Sequence, residues 1–302
     1  MKRCSCGKKA VIDIRYLKKS FCGECFKRFI ERKVRKNIRK HKLILPNEKV
    51  GVAVSGGKDS LTTLYLIKKI CKQNEVICIT IDEGIKGYRE KTLEKVRYYC
   101  NEWGIDYFIF SYKKEFGMTL DEMVKKLPKF NPCSICGVFR RYLINKKASE
   151  LGCSKLVTGH NLDDESQGVL MNIFLRNIST LLRQGWISGI STHKKFISRV
   201  KPLRNIGERE VYAYFLLNGF KTPYITCPYS ISAFRLNVGR ILNWYESSHP
   251  GTKINILKTA DKIIQKLRKF MKGKKMKKCK RCGWIAIGDI CKACEILSLL
   301  KK

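Results

Sequence analysis

The segment Ser55-Gly56-Gly57-Lys58-Asp59-Ser60 constrains the fold of this chain more than any other. An apolar run, Val50-Gly51-Val52-Ala53-Val54, precedes it and reads as a buried strand. Leu61-Thr62-Thr63-Leu64-Tyr65-Leu66-Ile67 follows it and reads as the opening of a helix. Strand, Gly-rich turn and helix together aim backbone N–H groups and a helix N-terminus at a phosphate. The two glycines let the backbone bend and approach an anion closely. Lys58 and the hydroxyls of Ser55 and Ser60 add charge and donors. Asp59 repels anions, so a pure phosphate cradle does not account for it; Mg²⁺ held between the carboxylate and a polyphosphate does.

The loop opens a longer alternation of strands and helices. Apolar runs predict strands at 50–54, 76–81, 106–111 and 154–158, and helices at 60–72, 90–102, 137–151 and 163–176. That order predicts an α/β fold, a doubly wound parallel sheet over 49–225. Ligands of such sheets lie at the carboxyl ends of the strands, beside the switch in strand order. The loops Asp82-Glu83-Gly84 and Thr158-Gly159-His160-Asn161 are therefore expected on the same rim as the Gly-rich loop. Asp163, Asp164 and Glu165 open a helix, where acidic residues often serve only as caps and dipole partners. Three carboxylates exceed what a cap needs, and two of them with Asp59 are expected to hold Mg²⁺.

The chain has 15 cysteines. No signal peptide is evident at Met1-Lys2-Arg3-Cys4 and no run of about 18 apolar residues exists, so a cytoplasmic protein outside the membrane is expected. In that compartment the thiols point to metal or redox chemistry rather than disulfides. Cys4-x-Cys6 and Cys22-x2-Cys25 form a plausible four-thiolate zinc site near the N-terminus. Cys279-x2-Cys282-x8-Cys291-x2-Cys294 reads as a compact zinc ribbon, giving two Zn²⁺ in all. Cys133-Ser134-Ile135-Cys136 opens a helix after Asn131-Pro132 and has no second pair nearby; Cys227 is the remaining clustered cysteine. Three thiolates fit three ligands of a [4Fe–4S] cluster with one open iron, a persulfide or disulfide relay activated by the helix N-terminus, or an incomplete zinc site. The cluster is favoured. Cys71, Cys78, Cys100 and Cys153 sit singly in apolar contexts and read as buried small hydrophobes.

Net charge is +38, from 63 basic and 25 acidic residues. Residues 1–48 carry 16 basic against 4 acidic side chains, and residues 253–302 carry 16 against 3. Positive charge gathered at both ends suits a polyanion gripped around a central body. The expected organisation is a zinc module over 1–30 and a basic helical linker over 31–48, with Val34, Ile38 and Leu45 as core contacts. The nucleotide domain over 49–225 follows, then a helical extension over 226–272 and the ribbon over 273–302, entered by a flexible basic linker at 272–278. Within 203–272, Leu203 to Gly219 and Ala260 to Phe270 are the clearest helices.

The loop is not a Walker A motif, since Val52 stands where the first glycine would be and Asp59 follows the lysine. It resembles the loop of the PP-loop ATP-pyrophosphatase superfamily. SGGKDS, PCSICG, TGHNLDDE, Cys227 and the two zinc modules together resemble the tRNA 2-thiolation branch of that superfamily across nearly the whole chain. The resemblance implies a Rossmann-like adenine nucleotide α-hydrolase fold. It also implies ATP activation of a uridine C2 oxygen as an adenylate, with sulfur then displacing AMP. Carried over, Cys133, Cys136 and Cys227 become cluster ligands or catalytic cysteines. Asp59 becomes a magnesium or phosphate contact and Asp164 a catalytic carboxylate, while Ala53, Glu83 and Gly159 contact the nucleotide through backbone. The segments 81–89 and 136–141 resemble the wobble-uridine subtype, with Arg140 suited to an adenylate or RNA phosphate, more than the T-loop ribothymidine subtype. Partners implied are tRNA, a sulfur donor (free sulfide or a ubiquitin-like thiocarboxylate protein) and a second copy of the chain.

A tRNA cytidine as the thiolated base would keep every residue role and change only the base pocket, and two other classes compete. A PP-loop amidotransferase accounts for SGGKDS but not for Cys133, Cys136 and Cys227. A non-catalytic zinc-ribbon RNA-binding protein accounts for the charged ends but not for intact Lys58, Asp59 and Asp164.

Overall fold

The computed structural model describes residues 2–188, 193, 195–222, 225–230, 234–270 and 276–301. The chain opens with a short hairpin, β1 (Ile12–Ile14) and β2 (Lys19–Phe21), antiparallel with Ile12 opposite Phe21. Helix α1 (Gly23–Lys40) follows directly from Cys22 at its N-cap. Phe26, Ile30, Val34 and Ile38 recur every fourth residue and are buried, so one stripe of α1 enters the core. The helix runs unbroken across residue 30, which makes the first cysteine group and the basic segment one continuous element. Leu45 is not the core contact expected of it: it lies beyond the helix end and is 48% exposed, while Leu43 and Ile44 are buried instead.

The central layer alternates strand and helix as the sequence pattern requires. In order it holds β3 (Lys49–Ala53), α2 (Lys58–Ile70), β4 (Glu75–Asp82), α3 (Arg89–Glu102) and β5 (Tyr107–Ser111). Two short helices follow that periodicity did not reveal, α4 (Tyr112–Phe116) and α5 (Leu120–Lys126), each capped by its own hydroxyl residue, Ser111 and Thr119. Next come α6 (Pro132–Glu150), β6 (Lys155–Thr158), α7 (Leu162–Phe174), α8 (Ile178–Leu181), β7 (Ile187–Ser188) and β8 (Ser198–Val200). The six-stranded sheet has the order β5-β4-β3-β6-β8-β7. All neighbours pair in parallel except β7, an antiparallel edge. The chain starts in the middle at β3, winds outward to β5, then returns to β6 on the other side. The switch point therefore falls between β3 and β6, so the Gly-rich loop and the Gly159 loop emerge side by side. Cys78 and Cys100 are fully buried, and Cys71 and Cys153 nearly so, as small hydrophobes should be.

Helices α9 (Glu208–Leu217), α10 (Phe234–Ser248) and α11 (Thr252–Arg268) pack on α1, α2 and α7. Helix α9 begins later than the apolar pattern suggests: Leu203 and Ile206 are buried from an irregular loop after Pro202, and Gly207 forms the N-cap. The ribbon holds β9 (Lys277–Lys278), β10 (Ile285–Ala286) and α12 (Lys292–Leu300). Lys277 and Lys278 are strand rather than linker, paired with Ala286 and Ile285; residues 272–275 of the expected linker lie outside the described residues. Ala293, Ile296 and Leu300 share one buried cluster with Ile135, Phe139 and Leu143 of α6, which docks the ribbon on the helix that carries Cys133 and Cys136. No helix among the described residues is long and apolar enough to cross a membrane.

Candidate nucleotide and metal site

The Gly-rich loop is held open by its own hydroxyls. Ser60 Oγ donates to the Gly57 carbonyl at 2.9 Å and accepts from the Ser55 amide at 3.1 Å. Gly57 at the N-cap of α2 has no side chain to accept from the first-turn amides, so these point into the loop as an anion site requires. Gly56 has φ +87°, and a Cβ there would sit 2.3 Å from the Thr92 carbonyl oxygen in α3. A helix backbone cannot yield that distance. Gly56→Ala is expected to cost more than about 2 kcal/mol of stability and to remove ATP binding; thermal unfolding and an ATP titration measure both, and a wild-type melting temperature would contradict it.

The three rim loops meet. A Cβ on Gly159 would come within 3.0 Å of the Asp59 carbonyl, and Asn161 Nδ2 donates to Asp59 Oδ1 at 3.2 Å. Arg89, 3% exposed, ties the others together. It donates to the carbonyls of Ile81 at 2.8 Å and Ser55 at 2.5 Å, and pairs with Glu83 at 2.9 Å. Glu83 also faces Arg140 at 3.8 Å. Ala53 ends β3 at the same rim.

Of the acidic trio, only Asp164 is left for chemistry, which corrects the expectation of two carboxylates beside Asp59. Glu165 is buried and saturated by Lys201 at 2.7 Å and Arg204 at 3.1 Å. Asp163 forms a close buried pair with Lys253 and accepts the Glu208 amide at 2.7 Å. Asp164 completes the capping box of α7 with Asn161 and faces Arg235 at 3.6 Å. It is 36% exposed, and burial pushes its carboxyl up to about 6 against the opposing pull of Arg235. Burial likewise raises Asp59, while Lys58 opposes it. His160 is placed by a 2.8 Å contact of Nδ1 with the Thr158 hydroxyl, and burial lowers it to about 4, so the imidazole is neutral at pH 7.

Lys58 is clamped, by Asp59 at 2.8 Å and by Glu208 of α9 at 2.6 Å. Burial opposes its charge, but the two carboxylates outweigh that and raise its pKa. Arg89, Glu208 and Arg235 are site residues that sequence reasoning did not single out. Each reaches the rim by tertiary contact, and only Arg89 lies in a segment whose motif drew notice.

Asn131 caps α6 through the amides of Cys133 and Ser134, with Pro132 in the first turn, and so presents Cys133 and Cys136 one turn apart. Cys133 Sγ lies 3.5 Å from the Tyr229 carbonyl, just past Cys227. The charge of Cys227 bears on Cys136 and that of Cys133 on Cys227, so the three form one neighbourhood, with the Arg140 guanidinium beside Cys136 and Cys227. Burial pushes the Cys136 thiol up to about 11. The three sulfurs are not drawn within 4.8 Å of one another, as the two terminal groups are. Sulfurs around one tetrahedral Zn²⁺ lie about 3.8 Å apart, given bonds of about 2.3 Å. Cys6 and Cys22 sulfurs lie 3.6 Å apart, and Cys282 and Cys291 sulfurs 3.8 Å. Cys4, Cys6, Cys22 and Cys25 therefore fit a metal of that size, as do Cys279, Cys282, Cys291 and Cys294.

Comparison with known proteins agrees with this geometry. A family model described as a PP-loop domain matches residues 27–222. The tRNA-5-methyluridine(54) 2-sulfurtransferase of Pyrococcus horikoshii is 39% identical over 98% of this chain and 94% of its own. The cytoplasmic tRNA 2-thiolation protein 1 of Caenorhabditis elegans is 34% identical over 91% of this chain and 74% of its own. Among solved structures, the U34-tRNA thiolase NcsA of Methanococcus maripaludis, with its [4Fe-4S] cluster, is 34% identical with a TM-score of 0.84, covering 98% of this chain and 95% of that one. The switch-point loop, the central cysteines and these likenesses together place the chain in the tRNA 2-thiolation branch of the PP-loop superfamily.

Proposed function

We propose that this protein is an ATP-dependent tRNA uridine 2-sulfurtransferase of the cytoplasm. One observation carries the reading: Arg140 faces Glu83 of the nucleotide rim at 3.8 Å, and the charges of both act on the thiols of Cys136 and Cys227, so the nucleotide rim and the sulfurs adjoin. The uridine O2 attacks the α-phosphorus of ATP and pyrophosphate leaves. Sulfide then attacks C2, and AMP departs with the former O2. Ser55, Gly56, Gly57, Lys58 and Ser60 bind the polyphosphate, and Asp59 with Asp164 flanks it where Mg²⁺ would sit. Cys133, Cys136 and Cys227 would hold a [4Fe–4S] cluster, which supplies an iron open to exogenous sulfide. The two terminal groups would hold Zn²⁺ and fasten the modules over 1–30 and 273–302, which steady the tRNA body while 49–225 does the chemistry. Apolar side chains exposed on α7 and α10, among them Ile173, Phe174 and Trp244, favour a homodimer. The donor is free sulfide or a thiocarboxylate protein.

The wobble uridine is favoured by Arg140 and by the fold's likeness to the U34-tRNA thiolase. The T-loop uridine is the second reading, favoured by 39% identity to the Pyrococcus enzyme. The test is AMP release with and without tRNA, followed by mass spectrometry of position-resolved tRNA fragments. A 2-thiouridine at the wobble position supports the first reading, one in the T-loop the second, and tRNA-independent AMP release with no thiolated base rejects both.

Asp164 gives this reading a pH signature. Its carboxylate protonates as pH falls through about 6, so a role for the charged form is lost on the acid side. AMP release is expected to fall about tenfold per pH unit below that point. Asp164→Asn should flatten the limb at a low rate, and Arg235→Gln should move the inflection upward, because the guanidinium favours the charged form. An inflection unmoved by Arg235→Gln would assign the limb to another group.

A further inference from the structure

Helix α1 has a second face that the core does not use. Arg32, Arg35, Lys36, Arg39 and Lys40 are all exposed and line a shallow hollow of about 550 Å³. Their spacing by three and four residues puts them on one side of the helix. At 1.5 Å rise per residue, the strip is about 12 Å long. Among the described residues none of the five forms an ion pair, although nearby cations do: Lys27 pairs with Glu24, Lys33 with Glu210 and Lys69 with Glu31. Like charges at this spacing cost about 0.2–0.5 kcal/mol per pair, which the negative end of the helix dipole offsets only in part. A solvated face spreads its charges among carboxylates; this one concentrates them without any.

We propose that this face of α1 docks the phosphate backbone of tRNA, apart from the cleft where the base reacts. The inference rests on the functional reading above. Three of the five are arginines, whose planar forks match phosphate oxygens. No exposed apolar side chain lies between them to enter a lipid surface, since Val34 and Ile38 are buried. Asn37 on the buried side donates to the Pro202 carbonyl at 2.8 Å and to Asn205 at 2.7 Å, in the loop whose Arg204 grips Glu165 of α7. The strip is thus fixed rigidly to the helix that bears Asp164.

The test uses the full chain with Arg32→Glu, Arg35→Glu and Arg39→Glu combined, the matching triple Gln variant, and a control with Lys258→Glu, Lys262→Glu and Lys266→Glu on α11. The probe is a tRNA transcript, titrated from about 50 to 200 mM salt. The Glu triple is expected to weaken binding at least tenfold and to reduce the salt slope by about 2–3. The Gln triple should move both in the same direction by less, and the control should move neither comparably. ATP affinity and melting temperature should stay at wild-type values in all. Wild-type tRNA affinity and slope in the Glu triple would overturn the proposal, as would an equal loss in the control. Lost binding to phosphatidylserine vesicles with tRNA binding intact would assign the strip to a membrane instead. If the wild-type protein itself binds no tRNA, the functional reading falls and the proposal with it; intact tRNA binding in the Glu triple sinks the strip alone.

Discussion

Cys227→Ala is expected to abolish tRNA thiolation, by at least about a hundredfold, while leaving the fold and ATP binding in place. The residue sits in an irregular segment ahead of the turn at Pro228–Ser230 and is only partly buried, so its removal opens no core cavity. Its loss takes one of three thiolates from the neighbourhood of Cys133 and Cys136. Protein purified without oxygen should carry about four irons and matching acid-labile sulfide per chain, both lost in the variant. Zinc should remain near two per chain in each, since the terminal cysteine groups are elsewhere. Zinc alone in both proteins would sink the cluster and favour a persulfide relay. Full thiolation by the variant would sink any role for Cys227.

Lys58→Ala is expected to lower kcat for AMP release by roughly 10²–10³, the scale of removing one preorganised charge from a developing anion. Its partner separates binding from charge balance. Glu208 holds the Lys58 ammonium at 2.6 Å in this structure, from the position that a phosphate oxygen would compete for. Glu208→Gln should therefore lower KM for ATP or leave it unchanged, with kcat within a few-fold of wild type. A Glu208→Gln loss as large as that of Lys58→Ala would mean that the carboxylate acts on the nucleotide or its metal directly.

These expectations draw unequally on sequence and structure. The four central strands and the helices between them were legible because buried parallel strands are continuous apolar runs and helix faces repeat every 3.6 residues. The short helices α4 and α5 were not legible, being too brief to show a period; their local traces were caps alone, Ser111 and Gly117 around α4 and the Thr119–Glu122 capping box of α5. Leu45 misled because an apolar residue near a helix end extends the pattern whether or not the chain has already turned away.

The same division runs through the site. Gly-rich loop, CxxC spacings and helix openings are local: ligand geometry within a few residues is dictated by backbone conformation, so sequence determines it. Which carboxylates stay free is not local. Asp163, Asp164 and Glu165 are adjacent and chemically alike, yet Lys253, Lys201 and Arg204, 90, 36 and 39 residues away, neutralise the outer two and leave the middle one facing Asp59 and Arg235. An ion pair between distant residues leaves no periodicity or motif in either partner's surroundings. It exists only once burial has brought the two together and made an unpaired charge too costly to keep, and that choice belongs to the packed tertiary structure.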